Sequence, residues 1–220
     1  MQITVAERVS GVYELAHLLP RRDHVTPSRA LPLDGLYLFF ERGELVDCSG
    51  RAVDRIVRVG THRMNGRFRK RIRQHYGRVR SLGGNRDESI FRKHVGTALL
   101  RKAGPCDTEL NDWLAGNGPS SPALEAEVSQ TLRDNFTFVC VRVDDGGRRR
   151  CLERGLIALL AQHPLGSPSA GWLGHHAFAD EIRSSGLWNV QHIADDPITP
   201  TDFGQLSGLV QATLAEGSGL

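Results

Sequence analysis

Positive charge is concentrated in the stretch RVGTHRMNGRFRKRIRQHYGR, which runs from Arg58 to Arg78. Its 21 residues include eight arginines or lysines and no acid, whereas a solvated surface helix usually mixes charges of both signs. Arg71 and His75 are four positions apart and therefore share one face of a helix. A guanidinium group is a fork of donors that matches the oxygens of a phosphate. These residues therefore favour the binding of phosphate groups.

The net charge of +3 conceals a strong asymmetry along the chain. Residues 51–102 hold 16 of the 28 lysines and arginines and only three acids, a local balance of +13, and the remainder of the chain carries −10. A basic face of this kind can neutralise a nucleic-acid backbone without reading its sequence. A patch that serves solubility or binds an acidic protein is the alternative that charge alone leaves open.

The apolar pattern predicts one α/β (α+β) domain with a small three-stranded mixed or antiparallel sheet flanked by helices. Strands are predicted from runs of aromatic and β-branched residues, and helices from apolar residues three or four positions apart. A polar connection over residues 42–54 is expected between the first two strands. The predicted strands are GLYLFFE, RIVRVGT and FTFVCVRV, and the predicted helices lie at about 10–19, 66–76, 89–102, 122–132, 149–162 and 202–216.

The chain is expected to divide into three parts within this single domain. Residues 1–33 form an N-terminal helix and connector, residues 34–165 form the core with a helical insertion at about 104–133, and residues 166–220 form a C-terminal extension. The extension is rich in tryptophan, histidine and glycine, and we expect its tryptophans to anchor it on the core.

Composition favours a cytoplasmic protein without a membrane partner. No apolar run is long enough to span a bilayer, and the N-terminus lacks the basic-then-apolar order of a signal peptide. The cysteines at positions 48, 106, 140 and 151 have no CxxC spacing, which predicts reduced, mostly buried thiols. The histidines at 163, 175, 176 and 192 fit no structural zinc spacing either.

Four motifs follow one another in a set order along the chain. Gly35-Leu36-Tyr37 opens the first predicted strand and Arg58-Val59-Gly60 ends the second. KRIRQH at 70–75 lies on the helix that follows, and Glu153 lies on a later helix within CLERGLIALL. In this order and on these element types, the motifs resemble those of the GIY-YIG nuclease superfamily over residues 34 to about 163.

The resemblance implies a divalent-metal-dependent endonuclease that hydrolyses DNA phosphodiester bonds. The catalytic residues that it implies are Tyr37, Arg71, His75 and Glu153. Glu153 would hold Mg²⁺ or Mn²⁺, Arg71 would steady the scissile phosphate, and Tyr37 with His75 would handle the attacking water. A single carboxylate suits Mg²⁺, which keeps several waters and takes few protein ligands. Tyrosine is by itself a weak base, and nearby cations would favour its phenolate.

These residues also have ordinary structural interpretations. His75 would otherwise be a hydrogen-bonded helix histidine, and Arg71 would be one backbone-phosphate contact among several. Glu153 would otherwise pair with Arg149 or Arg150, because a carboxylate beside a leucine stripe is costly without a partner.

Two departures from the family pattern favour an alternative function. Arg58 stands where the second motif usually has a tyrosine, and the loop AQHPLGSPSAG after the helix of Glu153 has no asparagine, since Asn189 lies much further along. The alternative is a non-catalytic nucleic-acid-binding module on a degenerate nuclease scaffold.

The implied partner is DNA, with RNA as a second candidate. One active site cuts one strand, so double-strand cleavage would need a homodimer on the substrate or two successive events. The cations predicted to contact nucleic acid are Arg58, Arg63, Arg67, Arg69, Lys70, Arg73, Arg78, Arg92 and Lys93.

Overall fold

A computed structural model describes residues 3–104, 107–116 and 121–217 and confirms the predicted α+β class. Within the described residues, three strands form one antiparallel sheet in the order β2-β1-β3. They are β1 (Gly35–Cys48), β2 (Arg51–Gly60) and β3 (Phe136–Arg142). The central position of β1 places its first residues between the ends of its two neighbours, so the first motif faces both.

The hairpin of β1 and β2 is longer than predicted, and the polar connection expected over residues 42–54 is wrong. Only Ser49 and Gly50 separate the strands, and both have positive φ angles, 57° and 79°, as a tight hairpin turn with matching twist requires. Glu44, Val46 and Cys48 alternate inward in this part of β1. The charged residues of the segment concealed this period of two.

Helices cover both faces of the sheet. The helix α1 begins five residues earlier than predicted, because Thr4 and Glu7 form a reciprocal capping box at its start. The helix α4 lies inside the predicted insertion. The described helices are α1 (Val5–Leu18), α2 (Phe68–Tyr76), α3 (Ile90–Ala103), α4 (Asp107–Ala115), α5 (Pro122–Asn135), α6 (Gly146–Gln162), α7 (Asp180–Ser185) and α8 (Pro200–Gly217), with 3₁₀ turns at Ser28–Ala30 and Leu173–His176.

Alternation along β1 divides the interior into two cores. Leu36, Leu38 and Phe40 face a core shared with α1, α6 and α8. Tyr37 and Phe39 face a second core shared with α2, α3 and α5. Successive side chains of a strand point to opposite faces of the sheet, and helices cover both faces here. Every residue in the first half of β1 is therefore buried. The first motif therefore sends its tyrosine toward the basic helix α2.

The predicted apolar stripes of the main helices are confirmed. The stripe of α2, formed by Phe68, Ile72 and Tyr76, is buried, and every leucine of the α6 stripe is buried as well. The stripe of α6 packs in the core of Leu36, Leu38 and Phe40, and the stripe of α2 packs in the core of Tyr37 and Phe39. None of the described helices is long and apolar enough to cross a membrane.

The segment after α6 is fastened to β1 through one buried carboxylate. The indole Nε1 groups of Trp172 and Trp188 each donate a hydrogen bond of 2.9 Å to Glu41 Oε2. Both rings are buried, and they meet edge to face with centroids 5.5 Å apart. These contacts have the anchoring role that the sequence predicted for the tryptophans.

The described cysteines are free thiols. Cys48 and Cys140 are buried, as predicted, whereas Cys151 is exposed. Cys106 lies outside the described residues.

Candidate active site

A groove of about 920 Å³ opens where β1 begins and β2 ends. Its walls come from the loop after β2, from α2 and α6, from residues 87–94 around the start of α3, and from the segment 189–192. The groove is basic, because it is lined by more cations than carboxylates. The cations are Arg58, Arg63, Arg67, Lys70, Arg71 and Arg150, and the carboxylates are Asp87, Glu88 and Glu153.

Tyr37 lies at the floor of the groove, directly across the hairpin from Gly60. A Cβ atom added at Gly60 would fall on the Tyr37 hydroxyl and ring, so only glycine leaves room for this ring. Gly35 has a similar constraint, because a Cβ atom there would collide with the backbone carbonyl of Val141. The glycines of the first two motifs thus fix the position of the Tyr37 oxygen.

His75 lies behind Tyr37 and is fully buried. Its Nε2 is 2.9 Å from Tyr37 Oη, and its Nδ1 is 2.8 Å from Ser89 Oγ. Burial, together with the charges of Arg71, Arg58 and Arg92, holds the pKa of His75 well below its ordinary value. His75 is therefore neutral at physiological pH, and it reaches the groove only through Tyr37.

Arg71 lies one turn before His75 and projects into the groove. Its Nη1 donates a 2.8 Å hydrogen bond to the backbone carbonyl of Glu88. Among the described residues, no other hydrogen bond of this guanidinium is seen, and Arg71 lines a basic groove that would attract a phosphate group. The carbonyl contact sets the orientation of the fork.

Glu153 projects from α6 into the groove from the opposite side. Its Oε1 accepts a 2.9 Å hydrogen bond from the backbone N–H of Thr61, just after β2. Burial raises the pKa of Glu153, and the charge of Arg58 and the Thr61 hydrogen bond oppose that effect. The expected alternative, pairing with Arg149 or Arg150, is not seen among the described residues. Arg149 instead contacts Asp34 at 3.3 Å and Asn65 at 3.0 Å.

The donor set at Glu153 fits a hard divalent cation. One carboxylate oxygen is held by Thr61 while the group faces the groove. A carboxylate oxygen is the ligand type that a hard divalent cation prefers, and a bound cation would stabilise the ionised form. Among the described residues, no group of three or more histidines, cysteines or acids could hold a metal by itself. Water and substrate phosphate would therefore supply most ligands of an ion bound at Glu153.

Arg58 occupies the second-motif position usually held by tyrosine, and it is buried at the inner edge of the groove. Its Nη1 donates to the carbonyl oxygen of Trp188, and its guanidinium carbon lies 4.8 Å from the centre of the Phe91 ring. Its guanidinium is close enough to Tyr37 for the two side chains to interact electrostatically. Arg58 is thus a fixed internal cation beside the tyrosine oxygen rather than a surface contact.

Asn189 is a groove residue that sequence spacing did not assign. Its side-chain amide accepts from the backbone N–H of Val59 at 3.0 Å and donates to the carbonyl of the same residue at 2.9 Å. The preceding Trp188 N–H donates to the Val57 carbonyl at 2.7 Å. The segment therefore docks along the free edge of β2, and no local pattern in the sequence specifies that pairing.

The other predicted cations divide into three groups. Arg63, Arg67 and Lys70 line the groove. Arg73 and Arg78 are exposed, and Lys93 is partly exposed. Arg69 is partly buried and donates to the Leu31 carbonyl at 2.8 Å.

The prediction that Arg92 contributes to the nucleic-acid surface is wrong. Arg92 is fully buried and forms an ion pair with Glu125 of α5, to which its Nε donates at 3.1 Å. Its Nη1 also donates to the carbonyl of His75 at 3.1 Å. Arg92 therefore joins α2, α3 and α5 behind the site and cannot meet a phosphate.

The hairpin, the basic helix behind it and the groove shared by tyrosine, arginine and glutamate define a nuclease-type domain. The GIY-YIG domain family matches residues 7–216, so the chain belongs to the GIY-YIG nuclease superfamily and the resemblance drawn from its four motifs is confirmed. No curated protein and no solved structure matches the chain.

Proposed function

We propose that this chain is a divalent-metal-dependent endonuclease that hydrolyses DNA phosphodiester bonds. The observation that carries the proposal is the meeting of Tyr37, Arg71 and Glu153 at one basic groove, from three different elements of the fold. Family membership supports nuclease activity in general. That the substrate is DNA and that cleavage needs a divalent metal ion are the more specific parts of the proposal.

The groove residues divide the work of hydrolysis. Arg71 binds oxygens of the scissile phosphate and favours the charge that grows on them. After its own proton has left through the groove, the Tyr37 oxygen receives a proton from the attacking water, and His75 holds that oxygen in place. A divalent ion bound at Glu153 would supply Lewis-acid support to the phosphate and the leaving oxygen. The products are a phosphate monoester end and a hydroxyl end.

The groove supports a nucleic-acid partner more readily than an acidic protein. Arg63, Arg67 and Lys70 extend the positive wall beside Arg71, as a continuous phosphate backbone requires. DNA in the cytoplasm is the proposed setting, with RNA as a second substrate to be compared. Cutting both strands would require two copies of the chain on the substrate or two successive events.

Nicking of supercoiled plasmid tests the proposal directly. Wild type should nick with Mg²⁺ or Mn²⁺ and stop in EDTA. Glu153→Gln, which retains an oxygen for the Thr61 N–H, should lose at least about 100-fold in rate. Glu127→Gln, an exposed carboxylate on α5, is the matched control and should nick like wild type. Undiminished nicking by Glu153→Gln would remove Glu153 from the site.

Two observations favour a second candidate, a non-catalytic module that binds nucleic acid. Both hydrogen-bonding ends of the Asn189 amide are occupied by Val59, and Arg58 replaces the second tyrosine. This candidate predicts salt-sensitive gel shifts with plasmid DNA and no nicking at any divalent-ion concentration. Metal-dependent nicking that Glu153→Gln abolishes would exclude it.

A further inference from the structure

A buried chain of hydrogen bonds runs from the start of α3 to the floor of the groove. Ser89 Oγ is 2.8 Å from His75 Nδ1, and His75 Nε2 is 2.9 Å from Tyr37 Oη. Ser89 and His75 are both fully buried. Because solvent does not reach these groups, each proton in the chain must have a protein acceptor.

Ser89 determines which atoms donate and which accept in this series of hydrogen bonds. It is the N-cap of α3, and its Oγ accepts from the backbone N–H of Arg92 at 3.3 Å. A serine hydroxyl also has one proton to donate. Among the described residues, the acceptor within reach of that proton is His75 Nδ1. If His75 donated to Ser89 instead, the hydroxyl proton would be buried without a partner, which is costly.

His75 then has one assignment of its own proton. A neutral imidazole has one donor nitrogen and one acceptor nitrogen. His75 is kept neutral by burial and by three arginines that surround it, Arg71 on its own helix, Arg58 on β2 and Arg92 on α3. With Nδ1 accepting from Ser89, the proton resides on Nε2 and is donated to Tyr37 Oη.

We propose that Ser89 is a positioning residue that locks His75 in the Nε2–H tautomer, so that His75 serves as a fixed donor to the Tyr37 oxygen. This inference rests on the proposed nuclease function and assigns the roles within its site. His75 then does not take the proton of Tyr37, because its Nε2 already carries one. The Tyr37 proton leaves through the groove, and the oxygen, held by His75 and close to the charge of Arg58, receives a proton from the attacking water.

The tautomer can be measured without any cleavage assay. Long-range ¹H–¹⁵N correlation spectra of the full chain, labelled at histidine, distinguish Nε2–H, Nδ1–H and imidazolium forms. We expect Nε2–H for His75 from pH 6 to pH 8, and the same form in Ser89→Thr, which retains the hydroxyl. In Ser89→Ala the Nδ1 partner is lost, and the signature should become a mixture. An Nδ1–H or imidazolium signature in wild type would overturn the proposal, whether or not the protein cuts DNA.

Cleavage rates of two isosteric variants test the donor role. The amide nitrogen of His75→Gln can replace Nε2–H as a donor to Tyr37 but can never accept a proton. The side chain of His75→Asn is too short to reach Tyr37 and can meet only Ser89. We expect His75→Gln to nick within about tenfold of wild type, the scale of one altered hydrogen bond, and His75→Asn to be at least about tenfold slower than His75→Gln.

A proton-accepting His75 predicts a different result. Both His75→Gln and His75→Asn would then lose about 10²- to 10⁴-fold, as removal of a general base does. Equal, large losses in the two variants would therefore overturn the proposal while leaving the nuclease assignment intact. Ser89→Thr should nick faster than Ser89→Ala, and equal rates in those two would remove Ser89 from the mechanism.

Discussion

The guanidinium of Arg58 donates a hydrogen bond to the backbone carbonyl of Trp188, although the two residues are 130 positions apart. The contact joins the end of β2 to the segment that follows α7. Trp188 also donates its own N–H to Val57, and Asn189 bonds to both backbone groups of Val59. One wall of the groove is thus built from a distant segment that behaves as an irregular extra edge of the sheet.

Replacing Asn189 by alanine should loosen that wall. The buried N–H and carbonyl of Val59 would lose their partners, at a cost of about 1–3 kcal/mol in the free energy of unfolding. Nicking should slow as well, because the carbonyl of Trp188, next to Asn189 in the chain, anchors Arg58 at the groove. Urea unfolding and plasmid nicking measure the two effects. Gln191→Ala, an exposed change in the same segment, is the control, and equal stabilities of the two variants would contradict the argument.

Glu41 should make the protein less stable as pH rises through neutrality. Burial raises its pKa to about 7, although the indole hydrogen bonds of Trp188 and Trp172 oppose the shift. The folded state thus binds a proton more tightly than the unfolded state, whose carboxyl titrates near 4.5. Stability due to this group is present below pH 4.5 and is lost as pH rises toward 7 and above.

Glu41→Gln tests that dependence, because the amide oxygen still accepts from the indoles. As pH rises from 4.5 to 8, the unfolding free energy of the variant should increase relative to that of wild type by up to about 3 kcal/mol. Comparing the two proteins at each pH removes the contribution that the other titrating groups make equally to both unfolding free energies. A constant difference across this range would show that Glu41 titrates normally.

Glu44→Gln should have the opposite effect at neutral pH. Glu44 accepts from Arg55 Nη2 at 2.7 Å, and both side chains are buried. Leaving Arg55 buried without its partner costs about 3–5 kcal/mol. Asp54→Asn removes an exposed partner of Arg21 and should cost less than about 1 kcal/mol. Thermal unfolding of both variants compares the buried and the exposed pair.

Arg92→Met and Lys70→Met should separate stability from DNA binding. Arg92→Met leaves the Glu125 carboxylate buried without its ion-pair partner, which should cost about 3–5 kcal/mol in unfolding free energy. Lys70→Met should leave stability nearly unchanged and lower the slope of log K against log salt for DNA binding by about 1. Filter binding at several salt concentrations measures that slope. A normal melting temperature for Arg92→Met would contradict the buried ion pair.

The sequence indicated which residues meet at the groove better than it indicated the contacts around them. Tyr37, Arg71 and Glu153 could be placed because each sits beside an apolar stripe whose period is local. His75 could be placed for the same reason, but its burial behind Tyr37 depends on the packing of α2 against the sheet. Local patterns thus specify which residues approach the groove, while packing determines which of them face it.

The contacts that sequence reasoning missed are all long-range. Arg92 and Lys93 are neighbours of the same charge type, yet one step around α3 turns the first toward Glu125 and leaves the second partly exposed. Asn189 reaches Val59 only after the chain has crossed α6 and α7. Pairings of this kind depend on how elements dock, and no spacing within a window of ten residues encodes them.

Gly60 shows that a position can be indispensable through the side chain it lacks. The space beside its Cα is filled by the ring and hydroxyl of Tyr37, so alanine at this position would displace the oxygen that the proposal places nearest the attacking water. In a scan of every substitution, scored by survival of nicking, Gly60 should tolerate no replacement even though it offers the substrate nothing. Normal nicking by Gly60→Ala would show that the Tyr37 oxygen can be relocated without loss.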